Sequence, residues 1–173
     1  EYLEAGGLTD IGAALKELNS KLSMHEFLGS ITGALMPVII FMTDGYATDE
    51  YTKALEEIRN NRWFVRGTKI GFALGEDPDV KMISSVVGNS EAVIKTSDLD
   101  LFKRLMQFVS VTSSMLVSKP STSETSLSGA DIVKMAKSDL NIPEESMVHL
   151  SGDEYDPEPT VIDDGDSWDD GNW

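Results

Sequence analysis

Apolar residues recur at helical spacing at Ile11, Leu15, Leu18 and Leu22, directly after two capping candidates, Thr9 and Asp10. The spacing predicts a helix over 10–22. A second, shorter helix is expected around 27–35. The run Pro37-Val38-Ile39-Ile40-Phe41-Met42 is apolar without interruption and ends in Thr43-Asp44-Gly45. This is the pattern of a central parallel strand buried on both faces, with Asp44 just past its C-terminal end. The alternation then repeats. Residues 49–61 read as a helix with Tyr51, Leu55 and Ile58 on one face, and 68–74 as a strand whose Gly71 and Ala73 leave room for a closely packed helix. Asp77-Pro78 opens another helix, a capping acid followed by proline in the first turn. Residues 91–95 form a short strand near an edge. From 99 to about 116 a long helix carries Leu101, Leu105, Phe108 and Thr112 on one stripe, with Phe102, Met106 and Val109 beside it.

Strands alternating with helices define the fold class as α/β, a doubly wound, mainly parallel, Rossmann-like sheet flanked by helices. Function in such a sheet sits at the C-terminal ends of the strands. The main domain is expected over 1–119. Residues 120–128 are rich in Ser and Thr and have the composition of a linker. Residues 129–150 form a short helical segment, amphipathic over 129–140 with Ile132, Met135 and Ala136 apolar. Residues 151–173, rich in Asp, Gly and Pro, are expected to be an acidic disordered tail.

Charge sharpens this division. Residues 1–137 hold 18 acidic and 14 basic side chains, whereas 138–173 hold 12 acidic residues and no Lys or Arg, within a chain of net charge −16. Binding to a nucleic-acid backbone or an anionic membrane needs clustered Lys and Arg, so neither is expected as a partner. No apolar run reaches the roughly 20 residues that span a bilayer, and the longest, 33–42, is broken by Pro37. The chain contains no cysteine, which removes disulfides, zinc–thiolate sites and thiol nucleophiles together. A cytoplasmic home is expected. The opening Glu1-Tyr2-Leu3-Glu4 has neither an initiator Met nor a signal-peptide pattern and reads as a cut through a longer protein.

Two motifs carry candidate chemistry: Gly6-Gly7-Leu8-Thr9-Asp10 before the first helix, and Thr43-Asp44-Gly45 after the apolar strand. Both fall on strand-to-helix loops, which lie along one rim of a parallel sheet. The Thr9 hydroxyl and the Asp44 carboxylate are hard oxygen donors of the kind Mg²⁺ or Mn²⁺ takes, with the rest of the shell from water or other oxygens. Each residue also has a plainer reading. Thr9 is a good helix cap, and Asp44 is suited to start a turn with Gly45. His25 and His149 stand far apart with no ligand pattern around them and are read as packing or surface residues, and the eight methionines as core filler. Tyr155, Trp168 and Trp173 sit in the acidic tail, where they fit either a docking peptide or a solvated tail.

The order and spacing of these motifs resemble the von Willebrand factor A-type family. Gly6-Gly7-Leu8-Thr9-Asp10-Ile11 with Ala14-Leu15, then an apolar strand ending in Thr43-Asp44-Gly45, is similar to the second and third motifs of that family's metal-ion-dependent adhesion site (MIDAS). The likeness extends through 75–79, 91–94 and the helix bearing Phe102 and Phe108-Val109-Ser110, and is strongest to the bacterial TerY-like group associated with tellurium resistance and stress. It covers roughly residues 6–119.

The resemblance implies a noncatalytic, metal-dependent protein-binding module. Thr9 would coordinate the metal, Asp44 would act directly or through a bridging water, and a protein partner would supply a carboxylate to the open position. It also implies a stress-response adaptor working beside a protein kinase or a PPM-type phosphatase. The family's first motif, Asp-x-Ser-x-Ser at the end of the first strand, has no counterpart before Thr9. The N-terminal strand or strands are therefore expected to be missing, and Mg²⁺ or Mn²⁺ to bind fully only with that motif present. Two other functions fit the same residues. One is an α/β phosphotransferase or hydrolase using Asp44, against which stand the missing phosphate loop and nucleophile elbow. The other is a metal-free interaction module.

Overall fold

The computed structural model describes residues 8–23, 36–117 and 127–150. The helix expected around 27–35, the 120–126 part of the linker and the 151–173 tail lie outside the described residues.

Three parallel strands form the sheet: β1 (Val38–Thr43), β2 (Thr68–Leu74) and β3 (Val93–Thr96), in the order β1-β2-β3. Val38 pairs with Thr68 and Gly71 with Val93, which aligns the C-terminal ends of β1, β2 and β3 along one rim. Among the described residues six α-helices surround it: α1 (Ile11–Lys21), α2 (Thr52–Arg59), α3 (Arg62–Arg66), α4 (Val80–Val87), α5 (Leu99–Val117) and α6 (Gly129–Leu140).

The period-two alternation of the strands sorts these helices onto two faces. Ile39, Phe41, Ala73 and Val93 point into one apolar cluster with Ile11 and Leu15 of α1, Leu55 and Ile58 of α2, and Met82 and Ile83 of α4. Ile40, Ile70, Phe72 and Ile94 point into the other, with Leu101, Leu105 and Val109 of α5 and Ile132, Val133 and Ala136 of α6. The molecule is thus an α/β structure with helices covering both faces of a parallel sheet. Gly71 explains the close approach of α4: a Cβ there would stand 2.5 Å from Ile83 Cγ2 and 3.0 Å from Val93 Cγ2.

Sequence periodicity located most elements to within a residue or two, and the structure departs from it at instructive places. β1 is half-buried rather than buried on both faces, and Met42 is 48% exposed. Among the described residues β1 is an edge strand, with no strand beside it on its outer side. The cap of α4 is Asp79, whose carboxylate accepts from Met82 N at 2.9 Å, rather than Asp77. Pro78 therefore lies outside the helix, in the approach to it. The helix expected over 49–61 is shorter, α2 alone, and Asn61 accepts from Trp63 N and Phe64 N to cap a separate helix, α3, that follows it. Helix α6, which follows the Ser/Thr-rich stretch in sequence, belongs in space to the second core. Its first turn sits so close to β2 that a Cβ on Gly129 would collide with the Lys69 carbonyl oxygen. No helix among the described residues is long and apolar enough to cross a membrane.

Candidate functional site

Three loops meet at the C-terminal rim of the sheet: 8–10 before α1, 44–50 after β1 and 75–79 after β2. Backbone contacts bind them together. Thr48 N donates to the Thr9 carbonyl at 3.0 Å, and the Thr9 hydroxyl lies 3.5 Å from where a Cβ on Gly45 would be. The Asp44 carbonyl oxygen is 3.9 Å from the corresponding position on Gly75, whose φ of +98° is one that glycine adopts readily. Across the rim the Tyr46 hydroxyl donates to Asp77 Oδ2 at 3.1 Å. That hydrogen bond and the charge of Asp77 raise the Tyr46 pKa above its ordinary value.

The two residues singled out from the sequence therefore sit on adjoining loops, Thr9 half-buried and Asp44 exposed. Among the described residues neither side chain makes the bond of its plainer role. The turn after β1 is made by Thr43, whose hydroxyl donates to the Gly45 carbonyl and accepts from Gly45 N, both at 3.3 Å. Among the described residues the Asp44 carboxylate and the Thr9 hydroxyl make no hydrogen bond or ion pair.

The start of α1 is capped from elsewhere. Its own N-cap residue, Asp10, makes no side-chain cap, and Asp49 Oδ2 accepts instead from Gly12 N at 2.8 Å and Ala13 N at 3.3 Å. A carboxylate at a helix N-terminus satisfies donors that have no intrahelical partner and complements the helix dipole. Gly12 is what admits it, since a Cβ there would stand 2.6 Å from Asp49 Oδ2. The other oxygen, Oδ1, is buried with no hydrogen-bond partner among the described residues. Asp49 thus ties the 44–50 loop to the loop bearing Thr9, and sequence reasoning missed it. Ahead of α2 it looks like a local helix start, and only the fold brings it to α1.

The three loops carry seven carboxylates, from Asp10, Asp44, Asp49, Glu50, Glu76, Asp77 and Asp79, and no Lys, Arg or His. In donor type, Thr9 and Asp44 fit a hydrated divalent cation, since Mg²⁺ commonly takes one or two protein oxygens and keeps several waters. They do not make a closed cage. With Asp49 engaged by α1, no group of three or more metal-ligating acids or histidines forms among the described residues. No family model matches the chain, and no curated protein or solved structure proves similar to it.

Proposed function

We propose that this chain is a noncatalytic protein-binding module of the von Willebrand A type, with a doubly wound sheet, that works in the cytoplasm. A divalent cation, Mg²⁺ or Mn²⁺, is held at the Thr9–Asp44 rim and takes a carboxylate from a protein partner. When bound, the cation supplies an attraction for that carboxylate that an acidic rim otherwise lacks. Thr9 and Asp44 hold and orient it, and Asp49 keeps their loops together through α1. The observation that carries the reading is the Thr9 hydroxyl beside Gly45, with neither it nor the Asp44 carboxylate engaged by another described group. The absence of Lys and Arg from the three loops favours this over phosphoryl transfer at Asp44, which needs cations to hold the phosphate. By its resemblance the module is an adaptor in a bacterial stress or tellurium-resistance complex, beside a kinase or a PPM-type phosphatase.

Mn²⁺ is a suitable probe because its paramagnetism reports even weak occupancy. Titrated into the isotope-labelled full chain, it should broaden the amide signals of residues 8–10 and 44–48 first, and Asp44→Ala should remove that broadening. Equal broadening in Asp44→Ala, or none at this rim, overturns the proposal.

A further inference from the structure

A second concavity lies at the opposite end of the sheet. It is a cavity of about 980 Å³ bounded by the start of β2 at Gly67 and Thr68, the turn before β3 at Asn89, and the start of α6. Its lining includes Phe64, Val87 and Ala92, buried residues of the first core. Among the described residues three cations, Arg59, Arg66 and Lys69, line it and no carboxylate does, although the chain as a whole carries a net charge of −16.

Among the described residues no acid pairs with any of the three cations. Lys69 Nζ donates to the carbonyls of Phe64, Val65 and Gly67 at 2.8, 3.2 and 3.1 Å. Arg59 Nη2 donates to the Ser85 carbonyl at 3.0 Å. Arg66 is exposed and makes no hydrogen bond or ion pair with any described residue. Of the acids flanking the cavity in sequence, Glu91 pairs with Lys134, and Asp131 accepts from Ser128 at the cavity's edge. An apolar lining beside guanidinium groups that no described acid pairs with suits an acidic peptide with aromatic anchors.

The chain itself is directed to this place. Met147 forms an antiparallel bridge with Ile94 of β3, so the residues after it run toward the N-terminal end of that strand, which is the cavity's rim. Val148 is buried in the first core and Leu150 packs on it, the same cluster whose Phe64, Val87 and Ala92 line the cavity. Beyond Leu150 come residues 151–173, which hold nine carboxylates, no Lys or Arg, and the aromatics Tyr155, Trp168 and Trp173.

We propose that the 151–173 segment docks in cis in this cavity, its aromatic side chains on the apolar lining and its carboxylates on Arg66 and Arg59. The site is independent of the Thr9–Asp44 rim, and the docked segment occupies the far end of the sheet. A segment tethered at Leu150 reaches its site at high effective concentration, so modest contacts suffice. The charge pairing makes the docking sensitive to salt. The same cavity then receives an acidic, aromatic segment of another protein only when 151–173 is displaced.

The lack of cysteine permits a single label in the full chain. A nitroxide on Gly171→Cys should broaden the amide signals of Thr68, Asn89 and Ala130 and leave those of Gly45 and Asp77 sharp. Arg66→Glu, at an exposed position, should reduce that broadening several-fold. Adding Asp169→Arg and Asp170→Arg to Arg66→Glu should restore it. Broadening centred on Gly45 and Asp77, or none anywhere, overturns the proposal. So does broadening that appears only between molecules, when spin-labelled unenriched chain is mixed with isotope-labelled chain, since the occupant is then a second copy.

Discussion

Gly12→Ala separates helix propensity from the tertiary cap. In an isolated helix the change favours the helical state by about 0.8–1 kcal/mol. Here the new Cβ would lie 2.6 Å from Asp49 Oδ2, 3.2 Å from the Glu50 carbonyl oxygen and 3.3 Å from Tyr51 Cα. Two of those three atoms are backbone, so turning the Asp49 side chain alone does not relieve the crowding, and the 49–51 segment must withdraw. A shift of a few tenths of an ångström takes the Ala13 N to Asp49 Oδ2 contact, already 3.3 Å, out of hydrogen-bonding range. Loss of a helix cap costs about 1 kcal/mol, and crowding a packed interface adds about 1–3 kcal/mol. Together these outweigh the propensity gain and leave a net destabilisation of about 1–3 kcal/mol. Urea unfolding followed by far-ultraviolet circular dichroism measures it. The sharper test is a double-mutant cycle with Asp49→Ala, which removes the carboxylate. In that background Gly12→Ala should lose the part of its cost that comes from the cap, about 1 kcal/mol, and keep the part that comes from crowding the 50–51 backbone. A Gly12→Ala protein as stable as the parent, or a penalty unchanged without Asp49, refutes the reasoning.

Other positions give equally direct outcomes. Gly129→Ala should be strongly destabilising, because the colliding atom is the Lys69 carbonyl of β2 and the first turn of α6 must lift away; an unchanged melting temperature would contradict that packing. Gly71→Ala should cost about 1–3 kcal/mol by overpacking Ile83 Cγ2 and Val93; pairing it with Ile83→Leu, which carries no methyl on Cβ, should recover part of the loss. Asp131 has its pKa lowered by hydrogen bonds from the Ser128 side chain and backbone, then by Lys134. Its stabilising contribution is therefore present above the unfolded carboxylate value, about 3.9, and is lost as pH falls through the lower folded value. Asp131→Asn should accordingly lower the urea midpoint at pH 6, with the difference shrinking below about pH 4; a difference constant down to pH 2 would contradict this assignment.

Elements whose signal is local were legible in the sequence. The β2 strand runs between the residues that its apolar pattern marks, and Gly71 announces the helix that packs on it, because both signals reside in adjacent side chains. Thr9 and Asp44 adjoin as a shared rim leads one to expect, although among the described residues a strand precedes only the Asp44 loop. What stayed hidden depends on distant segments. Asp49 caps a helix 37 residues away, and nothing near either position encodes that pairing. The choice of Asp79 over Asp77 turns on whether Pro78 lies inside the helix, and both acids satisfy the local rule. The cationic cavity gathers Arg59, Arg66 and Lys69 from α2, α3 and β2 beside α6, so no single stretch of sequence displays it.

The register of the sheet also governs how the chain reaches its native state. Val38 pairs with Thr68 and Gly71 with Val93, so every ladder joins positions more than twenty residues apart, and a parallel pair offers no hairpin from which to zip. A loop containing at least one helix must close before the first inter-strand hydrogen bond forms, and that entropy is lost before any sheet contact compensates it. Refolding should therefore be slow beside that of helical bundles of similar size. Helices formed early, such as α5, would shorten the effective search. Substitutions that weaken the α5 helix without touching its buried face should then slow refolding more than they hasten unfolding, a division that stopped-flow rates across a denaturant series read directly.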